Sequence, residues 1–203
     1  NGKQTAPASV NDSLHYEAAA TVDKVTGQVV KTVWSNAQDF KDVATPAVKG
    51  YTADKQNVSD KNIAHDHADI KEVVTYAPDA QKATVTYIDQ TTGKTLTVKT
   101  LKGHTLEDTG YNTASDIKHY VDNGYDLVGD TSKGAKIIFD DDDAADQAYT
   151  VTLKHGTVTV TPSDNVTEGN PINKDANGAK WPAGATKSVL QHDVKRNVTY
   201  VIA

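Results

Sequence analysis

The chain has no cysteine, no methionine, a single arginine and only two phenylalanines, and no long apolar run interrupts it. Without cysteine there can be no disulfide, no thiolate metal site and no cysteine nucleophile. That absence suits an extracellular chain as well as a cytosolic one, so it does not fix the compartment. Without methionine there is no start residue, and we expect a piece of a longer polypeptide. No stretch approaches the roughly 18 apolar residues of a membrane helix, and residues 1–20 lack the basic, apolar and small-residue order of a signal peptide. This predicts a soluble segment with no membrane insertion. With 20 Lys and Arg196 against 23 Asp and 4 Glu, the net charge is −6. Phosphate backbones are gripped by clustered Lys and Arg, so nucleic acid is excluded as a partner.

What remains is a chain of 203 residues, 37% hydrophobic, with a mean hydropathy of −0.56. Such a chain builds modest cores, and two small domains suit it better than one large one. Thr (26) and Val (23) dominate it, and β-branched side chains favour a pleated, half-buried surface. Alternation at TVTYI (84–88), AYTVTL (148–153), TVTVT (157–161) and NVTYV (197–201) predicts strands with one apolar and one Thr-rich face. One segment reads as a helix, residues 113–124, with a capping box between Thr113 and Asp116. Ile117, Tyr120 and Val121 share a face there, and Asn123 and Gly124 close the helix.

A weak internal repeat organises these parts. ATVDKVTGQVV (20–30) aligns with VTYIDQTTGKTL (85–96), each a strand reaching an Asp, a turn closing on Thr-Gly, and a second strand. KGYTAD (49–54) answers NGYDLVGD (123–130), and DIKEVVTYAP (69–78) answers DQAYTVTLKHG (146–156). The order β-β-α-β-β, twice, predicts an α+β, β-rich chain of two small β-grasp (ubiquitin-like) domains. The first covers residues 1–79 and the second 80–156. In the first, the crossover is SNAQDFKDVATP (35–46), where Pro46 limits any helix to little more than a turn. The short junction predicts an elongated rod. Residues 157–203 read as a C-terminal β extension, two strands joined by a polar loop and leaning on the second domain. One period of a tandem array, with neighbouring repeats as partners, fits NVTYVIA running into NGKQTAPASV.

Chemistry-bearing motifs are few. HDHAD (65–69) imitates a two-zinc H-x-H-x-D-H motif, but Ile70 stands where the last His would be, and an exposed loop is the better reading. FDDDDAAD (139–146) crowds carboxylates between two strands. A solvated turn explains it, and a calcium (Ca2+) site with Asp140 and Asp142 as ligands is the alternative; no other cofactor is required. No nucleophile elbow or phosphate loop is present, so no catalytic residue is assigned and an enzyme is not expected. Nine Tyr and two Trp supply amphipathic rings, suited to weak recognition of sugars and protein surfaces. Most of these tyrosines sit where strand packing accounts for them. Trp34, Trp181 and Tyr111 are the candidate ligand contacts.

At VTYIDQTTGKTL, SDIKHYVDNGYDLVGD (115–130) and FDDDDAADQAYTVTLKHG (139–156), the chain resembles the MucBP domain of mucus-binding proteins from lactic-acid bacteria. ATVDKVTGQVV, FKDVATPAVKGYTADK and KEVVTYAPDAQKATVTY look like the companion B-type domain that precedes it. The tail from HGTVTVTP to DVKRNVTYV is similar to the segment that follows MucBP in the same tandem repeats. The resemblance implies a wall-anchored cell-surface adhesin in a host–microbe contact, with β-grasp domains and mucin glycoproteins as partners. It also implies immunoglobulins as an alternative partner, and a non-binding stalk is the third reading. Weak contacts multiplied by repetition would supply the avidity. Like-charge repulsion from acidic glycans predicts stronger binding at lower pH.

Overall fold

Strands dominate the regular structure and helices are few, as the Thr and Val content predicts. The structure, a computed structural model, describes residues 5–203. It divides into two units. The first holds the chain up to Gln81 with His104–Leu106 and Asp140–Ala145; the second holds Lys82–Gly103, Glu107–Phe139 and Asp146–Ala203.

In the first unit β1 (Ala18–Val22) and β2 (Val29–Trp34) form an antiparallel ribbon. Its turn follows from Asp23, whose carboxylate accepts the amides of Val25 (2.8 Å) and Thr26 (3.1 Å), while Gly27 takes φ +73° and donates to the Asp23 carbonyl. β3 (Val43–Ala44) pairs with β5 (Asn57–Val58), and β4 (Tyr51–Ala53) pairs with β6 (Tyr76–Pro78). These are three separate two-stranded sheets, where a single sheet with one crossover helix was expected.

Residues 35–46 form no helix. Asp39 accepts the Asn62 amide, Asp42 binds Lys61 and Ser59, and Phe40 donates its amide to the Asp60 carbonyl. These short acidic side chains satisfy groups across the loop and leave the backbone committed to a neighbouring segment. The predicted strand over 69–78 shrinks to β6 alone.

The second unit is built on β7 (Ala80–Asp89), β8 (Lys94–His104), β9 (Tyr125–Asp130) and β10 (Gln147–His155), in the order β8-β7-β10-β9. β7 and β10 run parallel at the centre, which requires a crossover, and α1 (Ala114–Asp122) lies in it. Alternation does what the sequence promises: Ala83, Val85 and Tyr87 of β7 and Val151 and Leu153 of β10 are buried on one face. Ile137 and Phe139 complete that core, with Ile117 and Tyr120 packed against it. Val121 stays exposed.

The β7–β8 turn repeats the first unit's turn: Asp89 accepts the Thr91 amide and Thr92 hydroxyl, and Gly93 sits at φ +72°. The Gly-Tyr motif recurs in conformation too, with Gly50 at +73° and Gly124 at +94° immediately before β4 and β9. The capping box does not form. Thr113 gives its hydroxyl to Asp130 at 2.6 Å, Asp116 turns elsewhere, and Asn112 accepts the Ala114 amide instead.

Residues 157–203 are not the predicted pair of strands. They hold a single turn of helix, α2 (Lys187–Leu190), two 3-10 turns, and an isolated bridge between Pro171 and Lys180. A strand exists only beside a partner, and here the Gly, Asn and Pro-rich stretch between 161 and 197 bends back on itself rather than bringing the two runs together. The bent loop docks on the end of α1: Asn173 donates to the Asn123 carbonyl at 2.9 Å, and Lys174 binds Asp122 through both its amide and its ammonium.

Candidate functional site

Trp34 closes β2, a strand exposed along its whole length, and the indole is 45% exposed. One face is covered by His65, whose ring stacks on it at 4.4 Å and 14°. His65 of the HDHAD motif thus supplies a platform for Trp34. His67 of the same motif contacts the Ala68 carbonyl at 2.7 Å, and among the described residues no three His, Asp or Glu side chains converge to hold a metal. The surroundings of Trp34 are polar: Ser35 donates its amide to the Glu17 carbonyl, and Gln38 reaches the His15 carbonyl. An open aromatic face beside hydrogen-bonding groups is suited to a sugar ring.

Tyr111 lies in the second unit within a network the sequence did not reveal. Its hydroxyl donates to Asp116 at 2.5 Å and meets the Tyr87 hydroxyl at 2.7 Å. Lys99 binds the same carboxylate at 2.7 Å and stands 5.3 Å from the Tyr111 ring centre. Burial, then the bonds to Asp116 and Tyr87, pushes the Tyr111 phenol far up, and burial raises Tyr87 to about 12. Burial also works against the Asp116 carboxylate, but the Lys99 and Tyr111 hydrogen bonds outweigh it and hold the group below the ordinary value. The hydroxyl of Tyr111 is therefore engaged inside the unit, leaving part of its ring as accessible surface. Only the Thr-rich alternation of β8 could have hinted at Lys99.

Trp181 is half-buried in the loop docked on α1, its backbone paired with Gly169 and Asn170. Asp140 and Asp142 lie in the acidic turn of the first unit, where Asp140 accepts the Asp142 amide at 3.2 Å and Asp142 accepts the Ala144 amide at 3.1 Å. Their neighbours are engaged as well. Asp141 binds Lys49 at 2.7 Å, and Asp143 accepts from Gln81, its carboxyl pushed up by burial and by the charge of Asp79.

The first unit also carries an apolar groove of about 480 Å³ lined by Val10, Val43, Val58, Val73, Val74 and Tyr76, which no motif announced. No helix among the described residues is long and apolar enough to cross a membrane.

Residues 1–80 match the family model of the Muc B2-like domain, and residues 81–155 match that of the mucin binding domain. The chain is similar to the type 2 repeat of the mucus binding protein MUB from Lactobacillus reuteri, with 39% identity over 49% of each chain and a TM-score of 0.36. It is similar to Mub-RV at 41% identity, over 43% of this chain and 46% of that one, with a TM-score of 0.35. The chain spans about half the length of each of these solved repeats. No curated protein matches it.

A β-rich chain carrying these two domains in this order is a repeat of the mucus-binding class, a family of adhesin modules and not of enzymes. The chain belongs to the Mub-type repeats of mucus-binding proteins.

Proposed function

We propose that this repeat is an extracellular adhesin module of a bacterial surface protein that binds mucin glycoproteins through shallow contacts of low individual affinity. The observation that carries the reading is the match of residues 81–155 to the mucin binding domain, directly after the Muc B2-like domain. A β-grasp fold for the second unit is supported by its parallel β7–β10 centre and single crossover helix.

Trp34 on its His65 platform is the sugar contact we assign first, since its face is open and polar groups flank it. A single exposed indole gives weak binding. Tethered repeats raise effective concentration, and avidity exceeds single-site affinity by roughly 10² to 10⁴ when geometry permits.

The test is surface-plasmon binding of the full chain to immobilised mucin before and after enzymatic deglycosylation, with immunoglobulin as a parallel surface. Binding should fall on deglycosylation, and Trp34→Ala should weaken it about fivefold to thirtyfold, the loss of about 1–2 kcal/mol at an aromatic anchor. Equal binding to stripped mucin would refute a glycan-directed module.

A further inference from the structure

The second unit sets its first and last strands side by side. β7 opens its sheet and β10 closes it, and the two run parallel with Ala83–Asp89 beside Gln147–Leu153. The chain enters at one end of this pair and leaves at the other: Lys82 precedes Ala83, which lies opposite Gln147, whereas Lys154 follows Leu153, which lies opposite Asp89. A pull along the backbone therefore grips two parallel strands from opposite ends and slides one past the other. All the bonds between them share the strain and yield together. A pull across the strands would open the same bonds one at a time, beginning at an end.

The surroundings of this pair oppose sliding. β10 is held on its other side as well, antiparallel to β9 from Val151 to His155, so moving it strains two ladders at once. Ala83, Val85, Tyr87, Val151 and Leu153 are wholly buried, and a slip drags these side chains through a closely packed core. The exit is fastened too. The His155 amide donates to the Thr91 hydroxyl at 2.8 Å, its ring meets the buried Asp89 carboxylate at 3.0 Å, and the Gln90 amide donates to the Leu153 carbonyl at 2.7 Å. Beyond β10 the chain is held more lightly, through Asn173 and Lys174 on the end of α1, and on a pull this loop comes away first and passes the tension to β10.

We propose that the second unit is a tension-resisting element, its parallel β7–β10 pair withstanding a pull along the chain far better than a pull across the strands. A module that grips a partner while tethered elsewhere transmits any pull through its own backbone, and unfolding under force follows the height of the unfolding barrier rather than the equilibrium stability. This goes beyond mucin binding, and its test uses no mucin.

Because the chain has no cysteine, thiol handles can be placed at chosen positions. In the full chain, Lys82→Cys with Lys154→Cys pulls β7 and β10 from opposite ends, whereas Lys82→Cys with Asp146→Cys parts them at one end; all three positions are exposed. Both variants lose the Lys82–Asp146 ion pair, so they should unfold at nearly the same urea concentration. A third variant, Gln90→Cys with Lys154→Cys, keeps that ion pair and parts the strands from the other end. Single molecules are stretched between DNA handles in an optical trap at one pulling speed. The force at unfolding should be about threefold or more higher along the strands than across them at either end, since the barrier and not the stability differs. The first two variants should each release about 220 Å of chain, the length of the unfolded unit between the handles. Equal forces in the two directions, a larger force across the strands, or yielding along the strands in several small steps would overturn the proposal.

Discussion

Tyr111→Phe separates a structural hydroxyl from a ligand contact. The substitution removes one oxygen and leaves the ring in place, so packing against the core is preserved. What is lost is a 2.5 Å donation to Asp116, which also takes Lys99 at 2.7 Å, and the 2.7 Å contact with Tyr87. A hydrogen bond to a charged acceptor contributes about 1.5–3 kcal/mol. Part of this returns, because the Tyr87 hydroxyl already stands 3.3 Å from Asp116 and can donate to it once Tyr111 no longer does. A net loss of about 1–2 kcal/mol remains, and for a domain of this size that corresponds to a fall of about 4–16 °C in the unfolding temperature. Circular dichroism gives the midpoint, and hydrogen exchange at β7 amides assigns it to the second unit. Lys99→Ala, which removes a half-exposed ion pair, should cost under about 1 kcal/mol. Mucin binding at 25 °C should be unchanged in Tyr111→Phe. An unaltered midpoint would refute the network, and lost binding with the fold intact would make the hydroxyl a ligand contact.

Gly103→Ala should lower stability by about 1–3 kcal/mol in urea unfolding, since its Cβ would run into the Phe139 ring and the Glu107 carboxylate; Phe139→Leu in the same chain should recover part of that loss if the ring is the obstacle. Alkaline unfolding should begin above pH 10, because Tyr87 holds its proton to about 12 in the folded chain. The folded state binds more protons there, so stability is complete below pH 10 and falls as pH rises toward 12. Absorbance at 295 nm should show phenols that ionise only as the chain unfolds. On the acid side Asp116 and Asp130 are both held below 3.8, so their contribution is complete above that value and is lost as pH falls through their lowered values.

Features decided within a few residues were legible. The two Asp-to-Gly turns, the Gly-Tyr entries to β4 and β9, the period-two burial of β7 and the end of α1 at Asn123 and Gly124 each rest on a side chain and its near neighbours. Features decided by a distant partner were not. Thr113 has the right neighbour for a capping box, yet Asp130 lies 2.6 Å away across the fold and takes the hydroxyl. Trp34 was legible as an open aromatic, but its His65 platform comes from a loop 31 positions later whose spacing imitates a metal motif. The network around Tyr111 draws on β7, β8 and α1, and no local pattern couples them.

The same distinction explains why two similar halves fold so differently. Strand propensity says that a segment can pair; it does not supply the neighbour. In the second half, Val85 and Tyr87 meet Tyr149 and Val151, and one four-stranded sheet with a dry core results. In the first half the hairpin, the Gly-Tyr strand and the closing strand are all present. There β1, the counterpart of β7, stays apart from β6, and the strands remain as separate two-stranded sheets. The repeat in the sequence therefore points to an unequal partition of one architecture.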